Sequence, residues 1–174
     1  MILAGLIGIK AQAIYIVTIN ISELVCKVPI GFAEGICVVV GNAIGANDVN
    51  LAKKWVKLTI IFVTVVLTLG TLICLIVKKS LIGIFTNDPD IGETIITLMP
   101  IVGLKWFFNG MQYYVQGVIR ALALQQYALY LNLMVIIFVQ LPTAYLFAFK
   151  FEWGVAGLLW ADSLGMFVQL ILFL

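Results

Sequence analysis

The 174 residues include no histidine, and only 10% of them are charged. The missing imidazole removes the commonest general base and metal ligand. The formal net charge is only +2, so no basic field exists to hold a nucleic acid. Cys26, Cys37 and Cys74 lie in apolar stretches and form no CxxC pair. An odd count at such spacing gives neither a disulfide framework nor a zinc site, and leaves small apolar filler. The N-terminus has no basic residue ahead of its apolar run from Met1 to Ile9. It lacks the pattern of a cleaved leader and reads as the end of a membrane helix whose beginning is missing. No metal or cofactor is expected.

What is present is apolar. Hydrophobic residues make up 64% of the chain, against about 45–50% in soluble domains. A chain of this length exposes too much surface to hide that excess in one soluble core. The composition therefore predicts an all-α, polytopic membrane helix bundle as a single domain over 1–174. A crossing helix needs about 20 mostly apolar residues. Stretches 57–77, 127–149 and 154–174 satisfy this, the last with one charge, Asp162. Stretches 11–40 and 91–119 carry Glu23, Lys27, Pro29 and Glu34, and Glu93, Pro100, Lys105 and Asn109 respectively. Both are too apolar for loops and read as spans that line something polar. Five spans plus an N-terminal stub result.

The connectors are short. Segment 41–54 is rich in Gly, Asn and Asp, and Asp48 is placed to cap the following helix. Thr86-Asn87-Asp88-Pro89-Asp90 is a strong turn signal. The bias of Lys53, Lys54, Lys57 and Arg120 over Lys78, Lys79 and Lys150 puts the first connector in the cytoplasm.

A charge inside a span costs several kcal/mol on insertion scales, so such residues face a cavity or a partner. At about 100° per residue, Lys27, Glu34 and Asn20 all fall within about 60° of Glu23. Glu23 and Lys27 are also spaced as an i, i+4 pair in the favourable order. Pro29 between them and Glu34 predicts a kink. In the span 91–119, Asn109, Gln112 and Gln116 fall within about 40° of Lys105. Two polar stripes on separate spans point to a polar pathway, with the stripes facing each other. The same residues also admit a structural reading: a neutralised Glu–Lys pair, and amides bonding neighbouring helices. Asp162 stands alone on its span, without an assigned role. Gly41 and Gly45 have a small-xxx-small spacing that suits close helix packing or a chain turn.

Several segments together resemble a known family. Pro29-Ile30-Gly31-Phe32, Val40-Gly41-Asn42-Ala43-Ile44-Gly45-Ala46-Asn47-Asp48 and Ala52-Lys53 are similar to the second-half signature of the multidrug and toxic-compound extrusion (MATE) transporters. Ile84-Phe85-Thr86-Asn87-Asp88, Gln116-Gly117-Val118-Ile119-Arg120 with Gln125, Asn132, Leu141-Pro142 and the run Gly154 to Trp160 continue the likeness in order. The resemblance implies a C-terminal six-helix bundle, one of two that flank a cavity. It implies export of organic cations or other xenobiotics against an H⁺ or Na⁺ gradient, in a plasma or vacuolar-type membrane. Asn109 stands where many relatives carry an acidic residue, Val39 replaces a frequent Arg, and Ala121 a Gly. Glu34 stands at a place usually small or polar, and would supply a carboxylate from the neighbouring helix.

The expected function is a secondary antiporter, or half of one. Glu34, Asn109, Glu23, Lys27, Lys105, Gln112 and Gln116 are the candidate substrate- and ion-binding residues. The expected partners are a small organic cation, H⁺ or Na⁺ as coupling ion, membrane lipid, and a second bundle or a homodimer; no nucleic acid is expected. Two other classes remain open: a truncated, non-transporting remnant or subunit, and a membrane-embedded enzyme. The enzyme reading lacks histidine, a metal cluster or a nucleophile beside a base, and the chain is expected not to be an enzyme.

Overall fold

The computed structural model describes residues 2–173. The chain is helical almost throughout. Helix α1 (Ile2–Ile7) ends at Gly8, whose φ of 148° lets the chain turn back into α2 (Ile9–Gly45). Then follow α3 (Val49–Ile76), the short α4 (Lys78–Phe85) and α5 (Pro89–Ala121). The next span, Gln125–Lys150, is composite: α6 (Gln125–Val135) and α7 (Leu141–Tyr145) are each followed by one π-helical turn, Ile136–Gln140 and Leu146–Lys150. Helix α8 (Gly154–Phe173) closes the chain.

Among the described residues, five helical segments are long and apolar enough to cross a membrane, as the hydropathy predicts. The observed ends lie up to eight residues outside those read from the sequence, because caps rather than hydropathy terminate helices. The Asp48 carboxylate accepts from Leu51 N at 2.9 Å and starts α3. The Asp88 carboxylate accepts from Asp90 N at 2.9 Å and Ile91 N at 3.3 Å, with Pro89 at the first helical position of α5, where a missing N–H costs nothing. Helix α2 ends in a Schellman turn. Asn47, at φ 58°, donates to Ile44 O, and Asp48 N donates to Ala43 O. The expected stub is present as α1, while α4 interrupts what reads as a plain loop. Helix α2 runs unbroken through Pro29. Met1 and Leu174 lie outside the described residues.

Helix α5 is the central element and packs against α2, α3 and α8. Within lipid, helix association depends on close packing and polar contacts, since tails are as apolar as leucine. Gly117 permits the α2–α5 contact: a Cβ there would sit 2.9 Å from Ile36 Cγ2 and within reach of the Ala33 backbone. Gly157 plays the same part between α8 and the preceding span, where a Cβ would lie 2.6 Å from the Phe147 carbonyl carbon. Gly41 and Gly45, the expected packing pair, have open space around them in this chain. Helix α3 turns Leu58, Ile61, Phe62, Val65, Leu72 and Ile73 outward, the surface a lipid-facing helix presents.

These contacts set an expectation for the glycines. Gly117→Ala should lower stability by about 1–3 kcal/mol through overpacking, read as the thermal midpoint of the detergent-solubilised protein. Gly41→Ala should leave it unchanged or slightly raised. Equal effects would contradict the packing assignment.

Candidate functional site

The polar stripe of α5 points into the bundle, as its spacing predicts. Its partners lie mainly on α8, not on the α2 stripe. Lys105 Nζ lies 2.8 Å from Asp162 Oδ2, and the two side chains are only 8% and 15% exposed. Tyr15 Oη donates to the same oxygen at 3.2 Å, and Gln140 Nε2 donates to Oδ1 at 2.7 Å. Four of the five spans thus meet at one carboxylate: α2 through Tyr15, α5 through Lys105, Gln125–Lys150 through Gln140, and α8 itself. Farther along, Gln112 donates to Gln169, and both are buried. Asp162 and Gln169 are seven residues apart and share one face of α8.

Helix α2 meets α5 through smaller groups. Trp106 Nε1 donates to Ser22 Oγ at 2.9 Å in a buried contact. Asn109 Nδ2 donates to Cys26 Sγ at 3.2 Å. The Glu34 carboxylate accepts from Arg120 NH1 at 2.7 Å, with side chains 60% and 39% exposed. Gln116 is half-buried.

The expected face-to-face arrangement of the two stripes is therefore not what the chain adopts. Asn20, Glu23, Lys27 and Glu34 do share one face of α2, but that face is exposed. Tyr15, Ser22, Cys26, Pro29 and Ala33 are among the α2 residues that turn inward. Glu23 and Lys27 form no ion pair. Among the described residues the ion pairs are Lys10–Asp90, Lys105–Asp162 and Arg120–Glu34. The exposed position explains this, since a solvated i, i+4 pair gains little and loses rotamer freedom. Asp162, Tyr15, Gln140 and Gln169 are the residues that sequence reasoning leaves without a role. A lone charge in an otherwise uncharged span is the signal that marks Asp162.

A cavity of about 380 Å³ reaches this cluster. Tyr15, Gln140 and Asp162 form its polar end, and Leu3, Ile136 and Leu158 are among its apolar walls. The groups present can carry a cation on a carboxylate and pass hydrogen bonds between four spans.

The energetics of the ion pair are testable. Lys105→Met leaves a carboxylate buried without its counter-charge and should cost about 3–5 kcal/mol. Removing both charges in Lys105→Met/Asp162→Leu should cost much less than the sum of the two single substitutions. Thermal unfolding of the four proteins supplies the double-mutant cycle, and simple additivity would deny the pair its coupling.

Comparison with known proteins gives a consistent result. Residues 1–146 match the MatE family model. Multidrug and toxin extrusion protein 1 of Mus musculus is 29% identical over 157 residues, which is 90% of this chain and 28% of that protein. Multidrug and toxin extrusion protein 2 of Homo sapiens is 30% identical over 157 residues, again 90% of this chain and 26% of that protein. Protein DETOXIFICATION 41 of Arabidopsis thaliana is 29% identical over 143 residues, covering 80% of this chain and 28% of that protein. The crystal structure of the eukaryotic MATE transporter AtDTX14 superposes with a TM-score of 0.88 at 22% identity, covering 94% of this chain and 36% of that one. The chain thus spans little more than a quarter of the curated relatives it matches. With five apolar spans in the same fold, the chain is an integral membrane protein and belongs to the MatE family.

Proposed function

We propose that the chain forms the C-terminal bundle of a secondary antiporter that exports organic cations in exchange for protons, with a second bundle completing the transport route. The observation that carries this reading is the exposed face of α2. Glu23 and Lys27 sit within a 37-residue apolar helix and yet find no cover among the described residues. Facing acyl chains, each charge would cost several kcal/mol, so the face fits a water-filled route between bundles. Glu23 and Glu34 give that route two carboxylates that a cation can meet, balanced in the resting chain by Lys27 on the same face and by Arg120. Lys105, Asn109, Gln112 and Gln116 form the polar interior behind it, with Asn109 and Arg120 linking α5 to α2.

Glu34 is the proton-exchanging group in this reading. It is exposed to the route, and its charge holds Arg120. A proton on Glu34 neutralises the carboxylate, releases Arg120 and loosens α2 from α5. That shifts the balance between two states of an alternating-access cycle. The second bundle comes from a longer chain or from a second copy, and transport requires it.

Vesicles carrying the protein test the proposal. A pH gradient should drive uptake of a fluorescent organic cation. Glu34→Gln should abolish this uphill uptake while leaving substrate exchange at equal pH largely intact. Unchanged uptake in Glu34→Gln would remove Glu34 from the mechanism, and absence of both modes in vesicles that also carry the second bundle, as a longer chain or a second copy, would remove the transporter reading.

A further inference from the structure

Helix α3 is the most exposed of the five spans, and an apolar seam runs between it and α2. Near the start of α3 the seam opens into a cavity of about 240 Å³, walled by Gly31, Gly35, Trp55 and Phe62 and floored by Thr59 and Tyr114. The hydroxyl protons of that floor are already used. Thr59 Oγ1 donates to Trp55 O at 2.7 Å, and Tyr114 Oη donates to Val56 O at 2.8 Å. What the cavity offers is hydrocarbon and aromatic surface. A second apolar cavity of about 190 Å³, bordered by Val28, Val66 and Gly70, continues along the same two helices. A Cβ at Gly31, Gly35 or Gly70 would meet nothing within 4 Å. No helix contact inside the bundle demands these glycines, and their effect is to keep side chains out of the seam. From Trp55 to Gly70, helix α3 rises about 22 Å. That exceeds half of a hydrocarbon core about 30 Å thick, so the seam is as deep as one leaflet.

The charge lies at one end. Lys53, Lys54 and Lys57 are exposed and form no ion pair among the described residues. Asp48 is the one acidic residue between positions 41 and 57, and its carboxylate caps α3. At about 100° per residue, Lys54 and Lys57 stand over the row Leu58, Ile61, Val65 and Leu72, which α3 turns outward. Trp55 beside them is the residue type that sits at headgroup level. A neutral lipid would fill the seam and leave the lysines unmet. A free anion would meet the lysines and leave the seam unfilled. We propose that the α2–α3 seam is a specific site for an anionic phospholipid of the surrounding bilayer. One acyl chain lies in the seam, and Lys54 and Lys57 hold the phosphate, with Lys53 adding to the field. This assignment is independent of the transport reading.

Nanodiscs of phosphatidylcholine carrying the protein test it. A minority of the lipid has brominated chains, which quench tryptophan on contact, and is either phosphatidylglycerol or phosphatidylcholine. Trp153 and Trp160 are replaced by Phe, so that Trp55 and Trp106, which border the two cavities, report. Each lysine near the surface strengthens binding of an anionic lipid roughly fivefold. Half-maximal quenching should therefore need about a tenfold lower mole fraction of phosphatidylglycerol than of phosphatidylcholine. Lys53→Gln/Lys54→Gln/Lys57→Gln, a change of exposed side chains only, should erase that difference. Gly31→Leu and Gly35→Leu, which put a side chain into the seam and leave the charges in place, should each shrink it. Equal potency of the two lipids in the unaltered protein would overturn the proposal, as would a difference that survives loss of the three lysines. A difference untouched by both leucine variants would mean surface charge without a seam, and would overturn it too. So would relief of quenching by inorganic phosphate at constant ionic strength, which would assign the lysines to a soluble anion. Transport results bear on none of these outcomes.

Discussion

The arrangement of the bundle depends on one largely buried carboxylate, that of Asp162. Placing Asp162 where lipid and apolar side chains surround it is unfavourable unless its charge is met and its lone pairs are used. Lys105, Tyr15 and Gln140 meet both requirements, and each comes from a different span. The requirement fixes the relative rotation and height of four helices at once. Apolar packing in lipid cannot do this alone, because sliding a leucine-rich helix against its neighbour exchanges one apolar contact for another. The close approaches at Gly117 and Gly157 then set how near the helices lie.

Charge is thus used in two different ways within one apolar chain. Inside the bundle, Lys105 and Asp162 cancel, and Gln112 and Gln169 satisfy each other; this polarity is closed. On the outer face of α2, Glu23 and Lys27 stay separate and exposed, while Glu34 is held by an exposed Arg120. That polarity is open to whatever lies opposite. The proposed transporter bundle would use both kinds: a neutral interior that moves as a unit, and a wet face for its cargo.

Much of this was legible in the sequence, for identifiable reasons. The spans followed from hydropathy, Asp48 from helix capping and the turn around Asp88 from its residue types, because all three are local properties. The two polar stripes were also real, since helical periodicity is local. Their partners were not legible. Lys105 meets Asp162 across 57 residues of sequence, and nothing in helical geometry says which neighbouring helix a stripe will face. Two polar stripes invite pairing with each other, yet α8 supplied a third stripe with only Asp162 and Gln169 to mark it. The π-helical turns within Gln125–Lys150 and the helix α4 also gave no signal. They arise where the chain accommodates its neighbours, as Gln140 does in reaching Asp162 past Gly165.

The central claim is that the α2 stripe faces water while its opposite side is sealed inside the bundle. Thiol accessibility tests it most directly. In a protein with Cys26, Cys37 and Cys74 replaced by Ala, single cysteines at positions 23 and 27 should react with a membrane-impermeant thiol reagent in native vesicles. Single cysteines at Ile73, on the lipid-facing side of α3, and at Ser22, on the inner side of α2, should not. Silence at 23 and 27, with labelling at 22, would show that the wet edge looks inward and would contradict the account.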